Sequence, residues 1–239
     1  MLRNIFFFSV FLLTSTSQSQ EFSFSESVDL NSDNLKELIT LTVDRERPNH
    51  FVLKINEISI SDFLGEEGTE IDGFLIVDID STDLMKEIAV HNPGPSSDDE
   101  YLVYWCNGKQ IKKVAHLSRW PIFRGNGVVY VDNWEGFWKR RDKYILDKKT
   151  HSLKLIPQFA YYVGINLRVK SSFPIYQNSD LRKAIHNLSE GSAITLLLCK
   201  ISGNDWMKYL YLIKTEEDII GWASFDSIYS NAEGFQFAD

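Results

Sequence analysis

Asp29, Asn31, Asp33 and Glu37 stand at positions 1, 3, 5 and 9 of one short stretch, with the carbonyl of Leu35 at position 7. Calcium takes six to eight oxygen ligands, and side chains at alternate positions of a tight loop converge on one cation as the chain wraps it. The spacing therefore suits calcium. It equally suits an acidic turn that caps a strand with no metal, because Asp and Asn favour turns through bonds to nearby backbone. Asn34 occupies the place where such loops usually carry glycine, and asparagine tolerates left-handed backbone better than most residues. A second copy follows: Val28 to Ile39 (VDLNSDNLKELI) is matched by Val77 to Ile88 (VDIDSTDLMKEI), which puts Asp78, Asp80, Asp83 and Glu87 in related positions. This copy is one residue longer, with Thr82 at the fifth position and Asp83 at the sixth, so its acids are less regularly spaced for ligation.

Other reactive residues form weaker patterns. His50, His91, His116, His151 and His186 are scattered, with no HExxH helix and no pairing at metal spacing, so solvated or locally bonded histidines are expected. There is no G-x-S-x-G elbow and no phosphate-cradling glycine loop. Cys106 and Cys199 are too few for a disulfide framework or a four-thiolate zinc site. They either pair in an exported protein or stand as separate buried thiols, and their placement in different expected domains favours the second. Trp134 to Arg141 (WEGFWKRR) interleaves aromatics with charge. It reads either as a stacking surface for glycan or peptide, with Trp138 as a ligand-facing ring, or as a strand with a solvated basic edge. Asn187-Leu188-Ser189 is a sequon, which matters only where the host glycosylates such sites.

The elements that must position these residues are strands. Phe51 to Ile60, Val128 to Val131, Ile194 to Ile201 and Lys208 to Ile213 are rich in β-branched and aromatic residues, punctuated by Gly, Asn, Asp and Pro. Helix-like stretches are brief, as at Leu181 to Asn187. The expected class is all-β, with packed antiparallel sheets or closed barrels. Asp29 and Asp78 lie 49 residues apart and Glu37 and Glu87 lie 50 apart, a period that stacked small sheets such as propeller blades display. A boundary is expected near Phe159 to Asn166, dividing residues 20–160 from residues 161–239.

The chain has 239 residues, 44% of them apolar, and a formal charge of −8, which suits a packed globular protein. The acidity is concentrated in the first unit: residues 20–160 carry 24 acids against 17 bases, and residues 161–239 carry nine against seven. Such a balance argues against nucleic acid as the partner, since that binding depends on Lys and Arg neutralising phosphates. Arg3, the apolar run Ile5 to Leu13 (IFFFSVFLL), and Ser17 and Ser19 lay out a secretory signal peptide over residues 1–19, cut near Gln20. The run is far below the roughly 20 apolar residues a membrane span needs, so a secreted or periplasmic product is expected.

At its acidic loops the chain resembles the FG-GAP or VCBS-type repeat of integrin-like β-propellers, in which a D-x-[DN]-x-D-x-x-x-[DE] loop joins two strands and holds calcium. It resembles still more closely a group of secreted bacterial proteins, through Asp29 to Glu37, Lys54-Ile55-Asn56, Ile76 to Val90 and Gly94 to Asp99. This resemblance covers about residues 24 to 160 and implies calcium-stabilised β-structure and surface recognition, with no catalytic residue. The segment Leu167 to Tyr229 is similar to the bacterial SH3-like barrel through Leu167-Arg168-Val169, Gly191, Asn204-Asp205-Trp206 and Gly221-Trp222-Ala223. Lys170 to Pro174 departs from that family's usual Arg-Ser-Gly-Pro. Trp206 and Trp222 are then core residues or, for Trp222, a ring on the rim of a ligand groove.

Three functions from different classes follow. The first is an exported binding module recognising a cell-wall glycan, a peptide or an envelope protein. The second is a structural adaptor stiffened by calcium. The third is an envelope hydrolase working through paired carboxylates, which requires two acids facing each other across a cleft with one pKa raised.

Overall fold

The computed structural model describes residues 21–95, 98–201, 203 and 205–237. The expected leader, Ser96 and Ser97 of the Gly-Pro-Ser stretch, Asn204 and the side chain of Trp206 lie outside the described residues.

Period-two alternation builds the first sheet, β1 (Glu21–Val28), β2 (Glu37–Asp44), β3 (His50–Ile55) and β4 (Ile58–Phe63), paired in that order. Ile39, Leu41, Val43, Phe51, Leu53 and Ile55 point to one face and are buried. The opposite face aligns Ser25, Thr40, Lys54 and Ser59 in one cross-strand row and Ser23, Thr42, Val52 and Ser61 in the next. The run Phe51 to Ile60 is thus two strands, folded back at Asn56-Glu57. Asn56 takes φ 51°, as a tight hairpin turn requires, and its side-chain oxygen accepts the Leu38 N–H at 2.9 Å.

Two further meanders repeat this plan. The second sheet is β5 (Gly73–Val77), β6 (Glu87–Asn92), β7 (Glu100–Cys106) and β8 (Ile111–Ser118); the third is β9 (Pro121–Phe123), β10 (Val128–Trp134), β11 (Lys139–Asp147) and β12 (Ser152–Ile156). The three stack face to face in a propeller-like manner, and β7 shows why its sequence is apolar without a break. Leu102, Tyr104 and Cys106 enter the core shared with the first sheet, while Tyr101, Val103 and Trp105 enter the core shared with the third. A strand covered on both faces has no solvent side on which to place polar residues.

The remaining chain forms one seven-stranded antiparallel sheet, ordered β15-β14-β18-β17-β16-β13-β19, with helix α1 (Phe225–Asn231) packed on it. Its strands are β13 (Tyr161–Val169), β14 (Phe173–Tyr176), β15 (Ala184–Leu188), β16 (Ala193–Lys200), β17 (Leu210–Thr215), β18 (Ile220–Ser224) and β19 (Ala232–Glu233). The expected small barrel is therefore an open sheet: β15 and the two-residue β19 are its edges and do not pair with each other. The helix-like stretch at Leu181 to Asn187 is also corrected, because Ala184 to Leu188 pair with β14 as an edge strand. Ser224 caps α1, its hydroxyl accepting the Ser227 N–H at 3.2 Å.

Glycine at 221 is required by packing. A Cβ there would lie 2.9 Å from Ile175 Cδ1 and 3.0 Å from its Cβ, and Ile175 is fully buried. Gly221→Ala is expected to lower stability by about 1–3 kcal/mol in denaturant unfolding, the usual cost of overpacking. An unchanged midpoint would show that Ile175 yields freely.

The sheets divide between Ile156 and Tyr161, but the core does not. Phe137 and Trp138, from the hairpin joining β10 to β11, are buried among Leu196, Tyr211, Phe225 and Ile228 of the C-terminal sheet and helix. Trp138 Nε1 donates to the Tyr211 hydroxyl at 3.1 Å. The expectation that Trp138 presents a ring to a ligand is thereby corrected: an apolar ring at a hairpin tip is removed from water by the neighbouring unit. Cys106 and Cys199 are free buried thiols in different cores, and burial pushes the Cys199 thiol up to about 12.

Candidate functional site

The two acidic loops join β1 to β2 and β5 to β6, and they share one bonding scheme. Glu37 Oε2 accepts the Leu30 N–H at 2.8 Å, and Glu87 Oε2 accepts the Ile79 N–H at 3.1 Å. Asp33 Oδ1 accepts from the Leu35 N–H at 2.7 Å, and Asp83 Oδ1 from the Met85 N–H at 3.0 Å. The residue after each of these aspartates is left-handed, with φ of 68° at Asn34 and 62° at Leu84. Leu30 and Ile79, next to the first aspartate of each loop, are buried anchors. The extra residue, Thr82, is absorbed within the second turn, where Asp80 Oδ1 accepts both its N–H at 3.1 Å and its hydroxyl at 2.6 Å.

Stacking of the sheets brings the loops together. The Ser32 hydroxyl donates to the Leu84 carbonyl at 3.0 Å, the Lys86 N–H to the Leu30 carbonyl at 2.8 Å, and Lys86 Nζ to the Asp29 carbonyl at 3.3 Å. The turn between β9 and β10 continues the series: Ser81 N–H donates to the Gly125 carbonyl at 3.0 Å and Gly127 N–H to the Ile79 carbonyl at 2.7 Å. Beside the loops, Leu35, Leu38 and Leu84 are 70%, 52% and 63% exposed.

The loops differ electrostatically. Asp29 accepts N–H groups from Asn31 at 3.2 Å and Asn34 at 2.9 Å, bonds that favour its ionised form; although desolvation opposes them, its pKa lies below the ordinary value. In the second loop burial comes first and like charges add to it. Asp78 is raised by desolvation and by Asp83 and Asp80, and one of its oxygens is buried with no hydrogen-bond partner. Glu87, 2% exposed, is pushed up to about 7 by burial and then by Asp83 and Asp78. Asp80 runs the other way, lowered to about 2 chiefly by its bond to Lys148, whose Nζ sits 2.5 Å from Asp80 Oδ2. Among the described residues no three His, Cys, Asp or Glu side chains are already gathered around a metal position.

Elsewhere, His91 is held between two carboxylates, with Nδ1 2.7 Å from Asp72 and Nε2 2.8 Å from Asp99, and its ring stacks on Tyr101. His116 bonds Glu100 at 2.6 Å, and His151 stacks on Trp105. These are the local bonds expected of scattered histidines. Glu135 and Asp142 are a pair of carboxylates that face one cation. Arg140 joins them, 2.5 Å from Glu135 and 3.0 Å from Asp142, so the two acids share one guanidinium. Trp222 is half-buried on the face of β18 opposite Ala223, paired across strands with Tyr176 and Leu212.

Sequence spacing finds both loops but not Lys148, which arrives from the hairpin between β11 and β12. The one available signal is that Asp80 stands where the first loop has neutral Asn31, an additional charge in need of a counter-ion. Comparison of the chain with protein-family models, with curated proteins and with solved structures found no match, so the work of these loops is argued from their own residues.

Proposed function

We propose that this chain is an exported, non-enzymatic binding module of the cell envelope. Its paired acidic loops take calcium and stiffen an end of the sheet stack that recognises a cell-wall glycan, a peptide or a protein partner. The observation that carries the reading is the second loop, where the orphaned Asp78 oxygen and the mutually repelling Asp78, Asp83 and Glu87 form a site that a divalent cation would relieve. In the first loop Asp29, Asn31, Asp33, Glu37 and the Leu35 carbonyl would hold the cation; in the second, Asp78, Asp80, Asp83 and Glu87. The donors are all hard oxygens, which suits calcium. Surface recognition is supported by the three exposed leucines beside the loops, apolar area that a partner would cover.

Because a ligand that binds only the native state stabilises it by mass action, calcium at about 100 times its Kd should add roughly 2.7 kcal/mol per site. A chelator is expected to lower the melting temperature of the intact chain, and Asp29→Ala combined with Asp78→Ala is expected to erase the difference. Superimposed melting curves with calcium and with chelator would remove the metal. Sedimentation with peptidoglycan, with and without calcium, then tests the glycan arm, using Trp222→Ala and Leu84→Ser as probes of the two faces.

A further inference from the structure

One face of the seven-stranded sheet lines a core, and the other is left outward. Register aligns Tyr176 with Trp222, Trp222 with Leu212, Leu212 with Leu198 and Leu198 with Tyr162, so β14, β18, β17, β16 and β13 each place one side chain in a single transverse row. Their neighbours along the strands, among them Ile175, Ala223, Tyr211, Cys199 and Val163, turn the other way into the core. None of the five row residues is a member of any of the three cores. With strands about 4.8 Å apart and same-face side chains about 7 Å apart along a strand, the row is about 19 Å long and about 7 Å wide.

The rings in this row are open to a ligand. Tyr162 is 74% exposed, and its phenol end lies over Gly164, where a Cβ would come within 2.6 Å of the hydroxyl. Glycine there leaves the ring room to lie along the sheet. Among the described residues, Tyr176, Trp222 and Tyr162 touch no other aromatic ring, and their two hydroxyls and one indole N–H have neither a partner in the protein nor a seal against water. Cations flank the row. Lys200 and Lys214 face outward on either side of it. Lys200 Nζ sits 5.4 Å over the Phe159 ring and donates to Ser179 Oγ at 3.2 Å, while Lys214 Nζ lies 2.7 Å from the exposed Asp218. Among the described residues the outward positions of these strands carry Lys200, Lys214 and Arg168 against one acid, Glu233, in a chain whose formal charge is −8.

The shape of the row restricts what can occupy it. Each of the five strands has a strand neighbour on both sides, so no free main-chain edge is offered for an added peptide strand. A strip of roughly 130 Å² is far smaller than the about 800 Å² that each partner covers in a stable protein interface. What remains is one narrow chain that lies on ring faces and bonds to their polar tips. A pyranose does both, since its C–H face packs on an aromatic ring and its hydroxyls meet the tyrosine O–H and indole N–H. Carboxylates along such a chain would meet the flanking ammonium groups in charge-assisted hydrogen bonds.

We propose that this row binds a linear polysaccharide bearing carboxylates, its rings on Tyr176, Trp222 and Tyr162 and its charges toward Lys200 and Lys214. The inference rests on the glycan arm of the reading above and deepens it, and it requires no calcium.

The test is calorimetric titration of the full chain, in chelator, with polygalacturonate, with its methyl-esterified form as the uncharged counterpart, and with polyglutamate as a polyanion lacking sugar rings. The natural chain is expected to bind polygalacturonate, to bind the ester more weakly and to ignore polyglutamate. Tyr162→Ala, at an exposed position where an unchanged melting temperature reports an intact fold, should weaken both polysaccharides by up to about tenfold. Lys200→Met and Lys214→Met should each weaken polygalacturonate by up to about fivefold and leave the ester unchanged. Polyglutamate bound as well as polygalacturonate would show a response to charge or to peptide and overturn the proposal, as would polysaccharide binding indifferent to all three substitutions. Failure to bind polygalacturonate while the chain still sediments with peptidoglycan would overturn the carboxylated class and leave the glycan arm standing. Failure of both would bring down that arm and this inference with it.

Discussion

Replacing Trp138 with alanine is expected to destabilise the protein by about 3–5 kcal/mol, the cost of deleting a large core side chain together with the cavity it leaves. Trp138 is 2% exposed, and it is one of two residues that carry the β10–β11 hairpin into the C-terminal core. Its loss also leaves the Tyr211 hydroxyl without the indole N–H, in surroundings dry enough to raise the tyrosine pKa well above its usual range. The Tyr211 hydroxyl keeps its bond to the Cys199 thiol, so losing the indole N–H costs about 1 kcal/mol, a loss the alanine and phenylalanine variants share. Trp138→Phe, which keeps most of the apolar volume, should therefore lose only about 1–2 kcal/mol. Denaturant unfolding of the two variants measures both. A Trp138→Ala midpoint equal to that of the natural chain would show that the hairpin is not held by this ring.

In chelator, stability is expected to fall by about 3 kcal/mol as pH rises from about 4.5 to about 7, through Glu87. The direction follows from its raised pKa: buried behind Ile79 and near Asp83 and Asp78, Glu87 holds its proton more tightly in the native state than in the unfolded chain. Its contribution is fully present below the ordinary value of 4.5 and is lost as pH passes through about 7. Carboxylates lowered by their partners, such as Asp80 with Lys148 and Asp132 with Arg141, act in the opposite sense and below that window. Glu87→Gln keeps an oxygen for the Ile79 N–H and removes the titration, so the gap between the two chains should widen with pH. Parallel curves from pH 4.5 to 7 would show that this carboxyl is not held in its neutral form.

Much of the architecture was legible in residue pattern because burial here follows period two. Thr40, Thr42 and Lys54 alternate with buried Ile39, Leu41, Val43 and Leu53, and the unbroken apolar run of β7 marks a strand with two covered faces. The repeat was legible too, since the same acids recur where the same backbone groups need acceptors. Pattern could not reveal contacts between units. Trp138 reads as a surface aromatic because Lys139, Arg140 and Arg141 follow it, yet it lies beneath Tyr211. The open sheet escaped for a related reason: apolar strands specify pairing, but whether the two edges meet depends on the curvature of the whole. Lys148 was invisible because its target lies 68 residues earlier in the chain, across a sheet interface.

A ring of blades fixes its own number, since the last must meet the first. The three stacked meanders obey no such condition: one core joins the first sheet to the second and another joins the second to the third. What ends the series at the first sheet is chemistry rather than closure. The outer rows of Ser23, Ser25, Thr40, Thr42, Ser59 and Ser61 offer short hydroxyls where an added meander would need apolar side chains. Duplication of a roughly fifty-residue unit could therefore lengthen such a protein from within, inserting one more copy of the doubly covered middle sheet, without disturbing either terminal face.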